Sequence, residues 1–158
     1  MVDQAKRHTK RQSRKLSILW GGRHIQTSDL FEVPSEGIVR AEFLAATPDV
    51  PQGFDMKLDG WFQLAKGEQV PVLRTWKDDR YEDRVEYPFH SRDCRIFVWN
   101  VYEMIYPSGK RIEEKWTGNA GFWVETHGES ERIYHCSHGM NNPPDFDSLV
   151  FKVSVEPR

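Results

Sequence analysis

Three imidazoles and a thiol crowd into the stretch from residue 127 to residue 138: His127, His135, Cys136 and His138. Imidazole nitrogen and thiolate sulfur are the ligands zinc prefers, so the group raises the question of a metal site. In an extended strand His135 and Cys136 point to opposite faces, while His138 shares the face of Cys136. A site built on Cys136 and His138 would need a remote pair, and His90 with Cys94 is the pair the chain offers. Their spacing matches no standard zinc pattern, so no metal is expected, and a buried thiol among polar histidines is the ordinary reading. The same residues write as thiol–imidazole pairs, Cys94 with His90 or Cys136 with His135. Neither pair lies on a strand–turn–helix elbow or at a helix N-terminus that would depress a thiol pKa. Glycine spacing gives no phosphate cradle, and carboxylate pairs such as Glu113-Glu114 identify nothing in an acidic chain. No catalytic residue and no cofactor is therefore expected. A small enzyme using His90, Cys94, Cys136 or His138 stands as a second alternative.

Aromatic residues offer different chemistry. Six Trp, nine Phe and five Tyr make up 13% of the chain. Two of the indoles lie in Trp116-Thr-Gly-Asn119-Ala-Gly121-Phe122-Trp123. This stretch resembles the late Trp-x-x-Asn-x-Gly element, followed by aromatics, of starch- and glycogen-binding β-sandwich modules such as those on glycogen-targeting phosphatase subunits. The strand from Cys94 to Tyr102 is similar to the penultimate aromatic strand of those modules, and Asp59-Gly60-Trp61 to an earlier element. Thr117 and Gly118 stand where the modules carry acidic and amide residues, and Trp123-Val124 replaces their Asn-Tyr ending. The resemblance implies a noncatalytic module in which Trp116 and Trp123 stack on sugar rings while Asn119 bonds a hydroxyl. Trp61 and Trp99 are the secondary stacking candidates. An indole suits this task because it covers the apolar face of a pyranose while polar neighbours fix its orientation. The ordinary alternative is that these rings fill a core and that Asn119 and Gly121 shape a turn.

The charges are unevenly placed. Lys6, Arg7, Lys10, Arg11, Arg14 and Lys15 face a single acid, Asp3, within residues 1–15. The other 143 residues carry 16 basic and 23 acidic side chains, a balance of −7. Residues 1–15 read as a basic arm too poor in apolar side chains to bury itself, hence disordered when free. Such an arm neutralises phosphates or an acidic surface. The first alternative function is accordingly an assembly or interaction protein whose arm holds nucleic acid or an acidic partner. The acidic body shows no basic groove to extend that path.

These candidates must be positioned by strands. Leu16, Ile18 and Trp20 alternate up to Gly21-Gly22, and Val39, Ala41 and Phe43 share one face of the next run. Met56, Leu58, Phe62 and Leu64 follow, then Val70, Val72 and Trp76. From Arg95 to Tyr106 both alternations are apolar, with Ile96, Val98, Tyr102 and Met104 on one side and Phe97, Trp99, Val101 and Ile105 on the other. A strand covered on two faces, or one with a binding face, has this pattern. Pro107 to Lys110 is a turn returning as Arg111–Trp116. Phe122–Glu125 and Glu131–Cys136 form another hairpin, and Leu149–Val155 alternates cleanly. Thr47–Gly53, Trp76–Tyr87 and Gly139–Asp147 are expected as long connections. Roughly eight strands without a helical stripe predict an all-β protein, an antiparallel sandwich of immunoglobulin-like or jelly-roll-like type. Residues 16–158 are expected to form this single domain, since a chain of 158 residues buries roughly 70% of its unfolded surface unaided. No apolar run approaches the roughly 18 residues of a membrane span. The basic N-terminus lacks the apolar stretch of a secretory signal, so a soluble cytoplasmic protein with two reduced thiols is expected.

Overall fold

The computed structural model describes residues 17–79, 82–105, 108–114, 120–138 and 143–158. The arm over residues 1–15 lies outside them. Twelve strands are present among the described residues: β1 (Ser17–Trp20), β2 (Arg23–Gln26), β3 (Asp29–Glu32), β4 (Glu36–Ala46), β5 (Gln52–Gln63) and β6 (Gln69–Trp76) in the first half. The second half contributes β7 (Arg84–Ser91), β8 (Arg95–Ile105), β9 (Arg111–Glu114), β10 (Gly121–His127), β11 (Glu131–Ser137) and β12 (Leu149–Pro157). The one helical element among the described residues is a 3-10 turn, Lys77–Asp79. No helix among them is long and apolar enough to cross a membrane.

The protein is all-β and antiparallel, as the alternation requires. The expected pair of sheets takes another form, a single continuous sheet curled into a half-barrel. Its order is β1-β2-β10-β11-β12-β4-β7-β5-β8-β3, with β6 added to β5 and β9 to β8. The curl is made by β5, which changes partner along its length. Gln52–Lys57 pair with β8, whereas Gly60–Phe62 pair with β7. A strand that turns a corner between two directions needs a bend, and bends fall where a side chain is absent. Gly60 provides it, with φ +143 and a position where a Cβ would lie 2.0 Å from the His90 carbonyl oxygen.

The two halves of the curled sheet meet through aromatic rings. Phe54 of β5 stacks on Phe151 of β12 with centroids 4.4 Å apart, and Phe43 of β4 lies 5.2 Å from Phe54. Phe151 stacks in turn on Tyr134 at 4.8 Å, which meets Phe122 edge-on. Each such ring, fully withdrawn from water, contributes about 1.5–3 kcal/mol, and each pair about 0.5–1.5 kcal/mol more. Val39, Ala41 and Phe43 are buried on one face of β4, and Leu149, Phe151, Val153 and Val155 on one face of β12. A polar tie crosses the same gap. Asp29 of β3, itself buried, accepts hydrogen bonds from Arg132 Nη1 at 2.7 Å and Tyr134 Oη at 2.8 Å.

Two expected features differ. The connection Trp76–Tyr87 is shorter, because β7 starts at Arg84 and pairs with β4 through Ala41↔Val85 and Val39↔Tyr87. Val85, between Arg84 and Glu86, and Phe89 turn inward, an alternation the charge around Val85 conceals. In β6 the inward side chains are Thr75 and Leu73, opposite Phe54 and Met56, while Val72 is exposed. A register shift between Lys57 and Phe62 of β5 separates this stretch from the Phe62↔Val70 pair. Pro71 is tolerated because β6 is an edge strand with no ladder on its free side.

Candidate functional site

Trp61 follows the Gly60 bend directly, so the kink that curls the sheet also aims this indole. Alternation turns Met56, Leu58 and Phe62 inward, which sends Trp61 and Gln63 to the other face. Trp61 is paired in register with His90 of β7, and the two rings stack with centroids 4.6 Å apart at 29°. On the neighbouring turn, Arg92 Nη1 donates to Asp59 Oδ1 at 2.9 Å, and its guanidinium carbon lies 5.8 Å from the Trp61 ring centre. A cleft of about 390 Å³ opens beside the indole, lined by Glu36, Trp61, Gln63, Gln69, Pro88, Phe89, His90 and Arg158. Gln63 and Gln69 face each other across β5 and β6. Glu36 Oε1 is 3.5 Å from His90 Nδ1, which makes no hydrogen bond. One half-buried aromatic ring, two amides, a carboxylate, an imidazole and a guanidinium therefore surround one open volume.

Trp123 has different surroundings. It lies on β10 opposite His135 of β11, and the rings are parallel within 3° at 3.9 Å. Arg23 of β2 lays its guanidinium carbon 4.1 Å from the Trp123 ring centre. Glu125, on the same side of β10, bonds both His127 and His135, the latter at 3.1 Å. Those two imidazoles hold its carboxyl below the ordinary range for glutamate. Gly121, at the end of the Trp-x-x-Asn-x-Gly stretch, has a packing role: a Cβ there would come 3.0 Å from Ile25 Cγ2 and 3.1 Å from the Gln26 oxygen. Trp116 and Asn119 lie outside the described residues, as do Lys6, Arg7, Lys10, Arg11, Arg14 and Lys15.

Trp99 is not placed as a platform. It is 8% exposed and belongs to the core cluster, on the face of β8 opposite Val98 and Tyr102. A ring enclosed in packing has no free face for a ligand. Both faces of β8 are covered, since Val98 and Val101 are equally buried.

The histidine and cysteine candidates are dispersed. Cys94 is exposed in the turn between β7 and β8 with φ +58, whereas His90 stacks on Trp61. Cys136 is fully buried in the core, and burial pushes its thiol well above the ordinary value. His138, 1% exposed, bonds Asp49 through Nε2 at 3.0 Å. Burial opposes the charge on Asp49, yet hydrogen bonds from Thr47 and His138 lower its pKa. This pair ties the β4–β5 loop to the end of β11, and Gln52 Nε2 donates to the Ser148 oxygen at 2.8 Å beside it. The contact braces two loops and leaves the imidazole closed to solvent. Among the described residues no group of three or more His, Cys, Asp or Glu side chains is arranged to hold a metal ion.

A larger cleft of about 520 Å³ lies between β3, the β10–β11 turn and the end of β12. It has no aromatic wall, and its guanidinium, Arg132, is already engaged by Asp29. Sequence reading singled out Trp61 but missed Glu36, Gln63, Gln69 and Arg158, which the curled sheet collects from four separate segments. The alternation of Trp61 and Gln63 against Met56, Leu58 and Phe62 is the one local signal of their shared face. No protein-family model, curated protein or solved structure matches this chain.

Proposed function

We propose that the chain is a noncatalytic binding module whose ligand is a carbohydrate seated in the Trp61 cleft. The observation that carries this reading is the pairing of one accessible indole with amide and charged side chains around a single open volume. An indole offers an apolar plane to the C–H face of a pyranose. Gln63 and Gln69 each bring both donors and acceptors, Glu36 accepts, and Arg158 donates, which matches the mixed demands of sugar hydroxyls. The His90 ring behind Trp61 and the Arg92–Asp59 pair beside it limit the rotamers of the indole, so little side-chain freedom is lost on binding. The resemblance at residues 116–123 points to the same ligand class, with the seat moved to the Asp59-Gly60-Trp61 element.

Titration of intrinsic tryptophan fluorescence with soluble oligosaccharides, α-glucans included, tests the reading. A saturable shift in the native protein that Trp61→Ala abolishes, with an unchanged melting temperature, supports it. A flat response across the panel, or a shift that survives Trp61→Ala, overturns it.

A further inference from the structure

The cleft of about 520 Å³ between β3, the β10–β11 turn and the end of β12 lies apart from the Trp61 cleft. Val33 and Val155, both buried, give it an apolar floor with Pro34 and Pro157 beside them. Glu32 at the end of β3 and Glu129 in the β10–β11 turn stand exposed on its walls. Among the described residues neither carboxylate has a hydrogen-bond or ion-pair partner, although Arg95 lies opposite Glu32 on β8. The cation lining the cleft, Arg132, is neutralised by Asp29 at 2.7 Å and rests over the Phe31 ring. Two uncompensated negative charges therefore stand above an apolar floor.

The edge of β3 adds a second feature. This strand ends the sheet order, so among the described residues no strand continues the ladder beyond it. Val33 N–H donates to the Cys94 oxygen at 3.0 Å, on the β8 side. Alternate residues of an antiparallel strand turn their amides to opposite sides, so the backbones of Leu30 and Glu32 face away from β8. The Leu30 oxygen accepts from Arg132 Nη1 at 3.3 Å. The amide and carbonyl of Glu32 are left facing the open side without a strand partner.

We propose that this cleft binds an extended segment of a partner protein through a lysine. The segment pairs its backbone with β3 at Glu32, lays the lysine stem on Val33, Pro34, Val155 and Pro157, and places the ammonium between Glu32 and Glu129. A strand added to a sheet edge draws affinity from main-chain bonds and specificity from the side-chain seat. A lysine stem covers apolar surface while its charged end stays hydrated, and three N–H donors suit carboxylates on two walls. The balance of −7 over residues 16–158 attracts a basic segment.

Fluorescence anisotropy of the full-length protein with a labelled Ser-Val-Lys-Val-Ser peptide tests this, with control peptides carrying norleucine or glutamate in place of the lysine. The lysine peptide should bind, more weakly as salt rises, and the controls should not. Glu32→Gln and Glu129→Gln should each weaken binding by about 2-fold to 5-fold, the range of one exposed ion pair. Glu68→Gln, an exposed acid between β5 and β6, and Trp61→Ala should leave it unchanged. Nα-acetyl-lysine amide, which keeps charge and stem but forms no strand, should compete poorly. A loss with Glu68→Gln equal to that with Glu32→Gln would reduce the binding to general attraction by an acidic body and overturn the proposal. So would equal binding of the norleucine peptide, competition by the amide as strong as by the peptide, or no binding at low salt. Unchanged melting temperatures of the glutamine variants assign any loss to the cleft.

Discussion

Phe54 and Phe151 stack within 15° of parallel at 4.4 Å, although three steps of strand pairing separate β5 from β12. A flat sheet would hold these strands well apart, so the contact exists because the sheet curls back on itself. The ring pair is both a product of the curl and one of the forces that maintain it.

Phe151→Ala should therefore cost about 3–5 kcal/mol, the usual range for deleting a core aromatic ring. Val72→Ala, at a strand position 43% exposed, should change stability by less than about 0.5 kcal/mol. Urea unfolding followed by tryptophan fluorescence measures both. Similar losses at the two positions would contradict the placement of the core.

Gly60→Ala and Gly67→Ala separate a structural corner from an ordinary turn. At Gly67, φ is +82 and nothing lies within 4 Å of an added Cβ, so the cost is the backbone term of about 1–2 kcal/mol. At Gly60 the added carbon meets the His90 carbonyl, and β5 must shift against β7. Thermal melts should show the larger loss at Gly60, accompanied by a change in Trp61 emission that Gly67→Ala does not produce.

Alkaline pH should destabilise the protein in two stages. Burial holds Cys136 well above its ordinary 9.0, and burial together with Asp29 holds Tyr134 well above 10.0. The folded state keeps both protons after the unfolded chain has released them. Stability from each group is thus complete below the ordinary value and declines above it, by about 1.4 kcal/mol per pH unit. Urea midpoints between about pH 8 and 11 should fall, gently at first and then more steeply. Cys136→Ala should remove the first stage and Tyr134→Phe the second.

The two cysteines should differ sharply toward a thiol reagent. Cys94 is exposed and Cys136 is enclosed, so one equivalent should react at once in the native protein and the second only on unfolding. Mass spectrometry after brief labelling identifies the modified peptide.

Much of the fold was legible because alternation reports which face is buried. Val39, Ala41 and Phe43 in β4 and Leu149 through Val155 in β12 are inward as their spacing predicted. The hairpins β8–β9 and β10–β11 pair where their turn residues placed them. The short strands β2 and β3 escaped, because four residues such as Asp29–Glu32 contain too few repeats to display a period. The partner change at Gly60 also escaped, since which strands neighbour β5 depends on the curl of the whole sheet. The site shares that limit: Trp61 could be chosen by residue type, but Glu36 and Arg158 reach the cleft only through tertiary arrangement.

The strand order also governs what happens while the chain is being made. β2 pairs with β10 through Gln26↔Phe122, and β4 has β12 as one of its two neighbours. At about 5–20 residues per second, the early strands wait roughly 5–20 s for these partners to leave the ribosome. Through that interval Ile25, Phe31, Val39 and Phe43, all buried in the finished protein, lack their covering strands. How long these apolar side chains stand uncovered is thus set by translation, not by the speed at which strands associate.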